Sequence, residues 1–161
     1  MNIWVTSLDE LHITIGGVNA THVLTLIDED VEVTYPEGVQ TMRLNMFDVE
    51  YEDDILIGTP KMEHVQRIIN FANSIDKKND RVVVHCWAGV SRSTAAALII
   101  LYVLYNNDIK QAIDKLLEIR PQASPNKLLC KYADIILNDG RAVLLREALK
   151  IDDKYIINKG Y

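Results

Sequence analysis

The order of apolar patterns along the chain predicts an α/β fold: a central, mostly parallel, twisted sheet of four to five strands flanked by helices. Three observations carry that expectation. Short β-branched runs crowd the first half, helical periodicity takes over after Pro60, and the two meet in a strand–loop–helix unit that starts at residue 81. Strands are expected at residues 3–6, 22–27, 31–35 and 41–44, and a fifth at 81–85, Arg-Val-Val-Val-His. Three adjacent valines without alternation mark that fifth run as covered on both faces, in the middle of the sheet.

The helices follow in order. Met62, Val65, Ile68, Ile69, Ala72 and Ile75 share one helical face, with Thr59 as a cap and Pro60 in the first turn. A second helix, from about Arg92 to Tyr105, is apolar nearly all round and is expected to be buried. A third begins near Asp108, buries Ile109, Ile113, Leu116 and Leu117, and stops at Arg120-Pro121. Pro125-Asn126 opens a fourth, running through Leu128, Leu129, Tyr132, Ile135 and Ile136 until Gly140 ends it. A last helix covers roughly residues 142–149. No linker or repeat interrupts the chain, so residues 1–150 read as one domain and 151–161 as a C-terminal tail of alternating apolar and charged residues.

Composition narrows the function. Among 161 residues, 17 basic side chains stand against 23 acidic ones, a net charge of −6. That argues against nucleic-acid or anionic-membrane partners, which select a basic face. Two cysteines, Cys86 and Cys130, make neither a disulfide scaffold nor a zinc pattern, so no metal is expected. Residues 1–16 lack the cationic start of a signal peptide, and the longest uncharged apolar run, 95–105, falls short of the ~20 residues a bilayer requires. The expected setting is the cytoplasm.

Directly after the valine strand comes His85-Cys86-Trp87-Ala88-Gly89-Val90-Ser91-Arg92-Ser93-Thr94, and then the buried helix. A helix N-terminus offers unpaired N–H groups and the positive end of a dipole. A loop wrapped round that end turns the N–H groups of residues Trp87, Ala88, Gly89, Val90, Ser91 and Arg92 inward as an anion cradle. The same field favours thiolate over thiol, which makes Cys86 a nucleophile at neutral pH. Arg92 can hold two phosphate oxygens with its fork, and Ser93 is placed to donate to the sulfur and ease its departure. Nucleophile, cradle and bidentate cation together describe phosphoryl transfer through a cysteinyl-phosphate.

His-Cys, five residues, Arg-Ser: at residues 85–93 the sequence resembles the cysteine-dependent protein tyrosine and dual-specificity phosphatases. The likeness covers roughly residues 1–148. Thr21-His22-Val23-Leu24-Thr25-Leu26 looks like the family's early strand, and His64-Val65 with Phe71-Ala72 like its helix before the loop. Arg120-Pro121 and Ser124-Pro125-Asn126 resemble its late segment, and the whole is similar to small bacterial tyrosine-phosphatase-like members. The resemblance implies the phosphotyrosine protein phosphatase (dual-specificity-like) fold and phosphomonoester hydrolysis without metal or cofactor. It also implies that His85 orients and tunes the cysteine, although a histidine ending a buried strand is equally read as a hydrogen-bonded core residue. Trp87 either lines the mouth of the pocket or packs locally. Cys130 reads as a helix core residue, with a redox partner of Cys86 as the alternative.

In that family an aspartate on a mobile loop upstream of the cysteine is the general acid. The loop after the 41–44 strand offers Asp48, Glu50, Glu52, Asp53 and Asp54. Asp48 follows the strand at the family's usual place and has apolar anchors in Phe47 and Val49, whereas Asp53 and Asp54 fit a shorter spacing to Cys86. Asp48 is the expected general acid, with Asp54 and Asp53 as the alternatives. No residue between Cys86 and Arg92 is cationic, which disfavours phosphoinositide and RNA 5′-phosphate substrates. A phosphorylated protein or a small phosphomonoester remains, phosphotyrosine first because aryl oxygens leave more easily. An inositol-phosphate-like metabolite phosphatase and a non-catalytic phosphate-binding pseudophosphatase are the alternatives.

Overall fold

The computed structural model describes residues 1–158. Four parallel strands, β1 (Asn2–Thr6), β2 (His22–Ile27), β3 (Gln40–Asn45) and β4 (Arg81–His85), lie in the order β1-β4-β2-β3. The valine strand β4 is therefore flanked on both edges, as its unbroken apolar run requires. Its valines serve two cores. Val82 and Val84 face the larger one, and Val83 joins Val23, Leu11 and Ile15 in a smaller one on the opposite face.

Six helices cover the sheet: α1 (Leu11–Val18), α2 (Met62–Ser74), α3 (Arg92–Leu104), α4 (Ile109–Ile119), α5 (Lys127–Leu137) and α6 (Leu144–Asn158). Helix α3 is buried along nearly its whole length, between the sheet and α2, α4 and α5. Its alanines at 95–97 allow the close approach, and its leucines and isoleucines fill the large core. Because all strands run the same way, the chain leaves Thr6, Ile27, Asn45 and His85 at one end of the sheet. Loops converge there, which is where open α/β sheets place ligands.

Several expectations are corrected. Residues 31–35 form no strand; Val33 and Tyr35 pack on the small core, so their β-branched and aromatic character serves packing rather than pairing. Helix α1 was not expected, since Leu-His-Ile-Thr-Ile-Gly-Gly-Val has poor intrinsic helix propensity. Burial of Leu11 and Ile15 overrides that, and a Ser7/Glu10 reciprocal pair leads into the helix: the Ser7 amide donates to Glu10 (2.8 Å) and the Glu10 amide to Ser7 (3.2 Å). Thr59 does not cap α2. Its hydroxyl donates to the Asp53 carbonyl, and Lys61 takes the cap position with its amide donating to His64 Nδ1. Helix α5 ends at Leu137, before Gly140. Helix α6 runs far past Leu149, so a boundary at residue 150 falls inside a continuous helix. Asp152 in its second half accepts from Ser124 (2.7 Å) and is ion-paired with Lys127.

Candidate active site

The site is built where β4 gives way to α3. Cys86, only 2% exposed, has left the strand, and the chain turns through residues 87–91 before the helix starts at Arg92. Every carbonyl of this turn is engaged. Cys86 O accepts from His85 Nδ1 (3.1 Å) and Trp87 O from the Leu8 amide (3.0 Å). Ala88 O and Gly89 O accept from the Arg120 guanidinium (3.3 and 2.9 Å). Val90 O accepts from the Ser124 amide (2.9 Å) and Ser91 O from the amides of Ala95 (3.0 Å) and Asn126 (3.2 Å). Peptide planes with their oxygens held by surrounding structure turn their N–H groups the other way, into the bowl of the loop. The Gly89 amide reaches Cys86 Sγ at 3.3 Å, and Ser93 Oγ lies 3.1 Å from the same sulfur. Gly89 itself is required. Its φ is +69°, and a Cβ there would meet the Thr6 backbone and Arg120 at 2.6 Å.

His85 is fully buried, and burial pushes its imidazole down to about 4. The ring is therefore neutral, and its tautomer follows from its partners. A carbonyl can only accept, so Nδ1 carries the proton to Cys86 O, and Nε2 accepts from Thr25 Oγ1 at 2.8 Å. Thr25 has then spent its hydrogen, so Tyr35 donates to it at 2.7 Å. His85 is thus a buried, hydrogen-bonded residue whose ring holds the Cys86 carbonyl.

Arg92 is 5% exposed. Its Nη1 donates to Asp28 Oδ1 (2.5 Å) and Met46 O (2.7 Å), while Nε is buried and meets no protein acceptor. The Nε–Nη2 edge left over has the parallel N–H geometry that matches two oxygens of a phosphate. An orphaned buried donor of this kind fits an anion at the site. Asp28 escaped the sequence reading. It ends the β2 run, and its turn is clamped by Arg43, which donates to Asp28 O (3.0 Å) and Val31 O (2.7 Å); no local motif marks it.

The acidic loop is resolved residue by residue. Asp48 Oδ1 accepts from Ser91 Oγ (2.6 Å), inside the loop, and from Asn126 Nδ2 (3.0 Å). Asn126, fully buried, also donates to Val49 O and accepts from the Leu129 amide as the cap of α5. Asp53 is turned into its own loop, where the Leu56 and Ile55 amides (2.8 Å each) hold its carboxyl below the usual range. Glu50 and Glu52 pair with Lys127 and Lys131. Asp54 is exposed. Of the three aspartates weighed from sequence, Asp48, the expected acid, alone is bonded to a residue of the Cys86–Arg92 loop. Phe47 anchors the segment as expected: its ring seats on Gly58, and its amide donates to Gly58 O (2.7 Å). Trp87 is 57% exposed at the surface of the loop, and Cys130 is buried in the core with its thiol pushed up by burial.

Residues 7–134 match the family described as the dual specificity phosphatase catalytic domain. The chain belongs to that family. Among curated relatives, human Protein phosphatase Slingshot homolog 3 is 31% identical over 106 residues, covering 66% of this chain and 15% of that protein. Mouse Dual specificity protein phosphatase 12 is 29% identical over 121 residues, covering 72% of the chain and 32% of the relative. The chain thus spans less than a third of the length of either. Among solved structures, human DUSP28 superposes with a TM-score of 0.65 at 18% identity, covering 85% of this chain and 94% of that one. DUSP15 gives 0.65 at 17% identity over 94% and 91%. These structures share the α/β phosphatase fold. The loop from Cys86 to Arg92 lies within the residues that match this family, and Arg120 and Asn126 brace it from the helical side. Both lie in the Arg-Pro and Pro-Asn segments on which the resemblance rested, although their contacts could not be read from it. Among the described residues, no helix is long and apolar enough to cross a membrane.

Proposed function

We propose that this domain hydrolyses phosphotyrosine in phosphorylated proteins, with phosphoserine and phosphothreonine as further substrates, through a cysteinyl-phosphate. The observation that carries this reading is the meeting, at one turn, of the Cys86 sulfur with its two donors and of Asp48 with the loop residue Ser91. Cys86 attacks phosphorus as the thiolate, and the bond to the leaving oxygen breaks while Asp48 delivers a proton to it. The loop amides and the Nε–Nη2 edge of Arg92 hold the equatorial oxygens as charge spreads over them. Asp48, now a carboxylate, takes a proton from water as the water attacks phosphorus. The S–P bond breaks, releasing phosphate, and the Ser93 hydroxyl supports the returning thiolate. No residue from Cys86 to Ser91 is cationic, which favours a singly phosphorylated ester over an inositol polyphosphate. A nucleophile of this kind works only while reduced, which fits a reducing compartment such as the cytoplasm. The acidic composition supports a partner that is neither nucleic acid nor an anionic membrane.

The test is turnover of p-nitrophenyl phosphate and of a phosphotyrosyl peptide in EDTA. The expected result is hydrolysis of both by the wild-type protein and a loss on the order of 10⁴-fold or more in Cys86→Ser. Phosphate binding without turnover in the wild-type protein would instead establish a pseudophosphatase.

A further inference from the structure

Beside the phosphate loop lies a second cavity of about 330 Å³, lined by Val90, Gln122, Ala123, Ser124, Asp152 and Ile156. Val90 belongs to the phosphate loop, and its carbonyl is bonded to the Ser124 amide, so this cavity and the phosphate bowl share a wall. The opposite wall is the second half of α6, which lies beyond the residues that match the phosphatase family. The wall is locked in place: Asp152 accepts from Ser124 and is ion-paired with Lys127, which also donates to Ser124 (3.3 Å). These bonds occupy the one carboxylate in the lining, leaving the apolar surfaces of Val90, Ala123 and Ile156 to meet an occupant. Ile156 is half-exposed, so the cavity opens to solvent.

We infer that this cavity is a subsite for an apolar side chain of the substrate, adjacent in sequence to the phosphorylated residue. The inference rests on the phosphatase reading above and adds a substrate preference to it. Val90 belongs both to the bowl's loop and to this cavity, so a side chain next to the phosphorylated residue has a short way across it, where a leucine- or methionine-sized group exchanges water for Val90, Ala123 and Ile156. A basic side chain gains little, because Asp152 is already neutralised by Lys127. The C-terminal helix thereby contributes to specificity without touching the reacting atoms.

The experiment uses the full chain and phosphotyrosyl peptides in a glycine–serine background, with one leucine walked through the positions on either side of the phosphotyrosine. The expected result is a kcat/KM about tenfold higher for leucine at one position than for glycine there, carried by KM. Ile156→Asp removes that preference and Ile156→Leu keeps it. Ile157→Asp, at the 74%-exposed neighbour outside the cavity, leaves it unchanged. p-Nitrophenyl phosphate turnover stays the same in all three variants. Equal kcat/KM at every leucine position, or a preference that survives Ile156→Asp, overturns the inference. If the wild-type protein does not turn over p-nitrophenyl phosphate, the phosphatase reading has failed, and Kd values for the same peptides decide the subsite separately. Tighter binding of one leucine peptide that Ile156→Asp abolishes sustains it, and equal Kd values overturn it.

Discussion

The Cys86–Arg92 loop, proposed as the phosphate loop, and the 46–61 segment, proposed as the acid loop, meet where Ser91 touches Asp48, yet they are held by opposite means. From Cys86 to Ser91 every carbonyl is bonded outward, and the flanking strand and helix are among the most buried elements of the fold. The acid loop has no regular structure between Asn45 and Met62 and leaves Ile55 and Ile57 92% and 87% exposed. It is fastened at points instead. Phe47 sits on Gly58, Asn126 holds Asp48 and Val49, and Lys127 and Lys131 hold Glu50 and Glu52. On the proposed function, the bowl that matches a phosphate has every peptide plane committed. The proposed acid is held by a few replaceable polar contacts, the kind of segment that opens locally at low cost.

That contrast can be broken first at Gly89. Gly89→Ala forces a Cβ against the Thr6 backbone at a positive φ, so turnover should vanish and stability fall by about 2–5 kcal/mol, read from urea midpoints. An alanine that leaves both intact would show the loop to be softer than its hydrogen bonds imply. On the other loop, Asp48→Asn should lower kcat by 10²–10⁴ on phosphotyrosyl peptide and much less on an activated ester that scarcely needs a proton. Asp53→Asn should leave turnover unchanged, since its carboxyl caps its own turn; a leaving-group-dependent loss there would move the acid to the shorter spacing.

A smaller effect sharpens the comparison through pH. His85 takes up a proton near 6.5 in the unfolded chain but only at about 4 in the folded one. Its contribution is therefore complete above pH 6.5 and is lost as pH falls toward 4, because the unfolded state binds the proton that the folded state refuses. The loss amounts to about 3 kcal/mol at the acid end, so urea midpoints should fall between pH 7 and 4 less steeply in His85→Gln than in the wild-type protein. The smallest effect belongs to the acid loop's rim. Lys131→Ala breaks an exposed pair with Glu52 and should cost under about 1 kcal/mol, measured in the same way.

Much of this was legible in the chain. Three valines placed β4 inside the sheet, and the apolar girth of α3 declared its burial. The spacing from His85 to Ser93 placed the end of β4, the turn and the start of α3, because these are consecutive residues whose conformation is decided locally. Helix α1 had no place in the reading, because its glycines and β-branched residues carry little helix signal. Tertiary structure alone decided the rest. Asp28 became the partner of Arg92 because parallel pairing brings the ends of β2 and β4 together. Asp48 parted from Asp53 and Asp54 because Asn126, 78 positions away, reaches it. The second half of α6 became a wall beside Val90 because Lys127 and Ser124 hold Asp152. In each case the deciding partner is remote in the chain, and hydrogen-bonding residues carry no periodicity from which such a partner could be read.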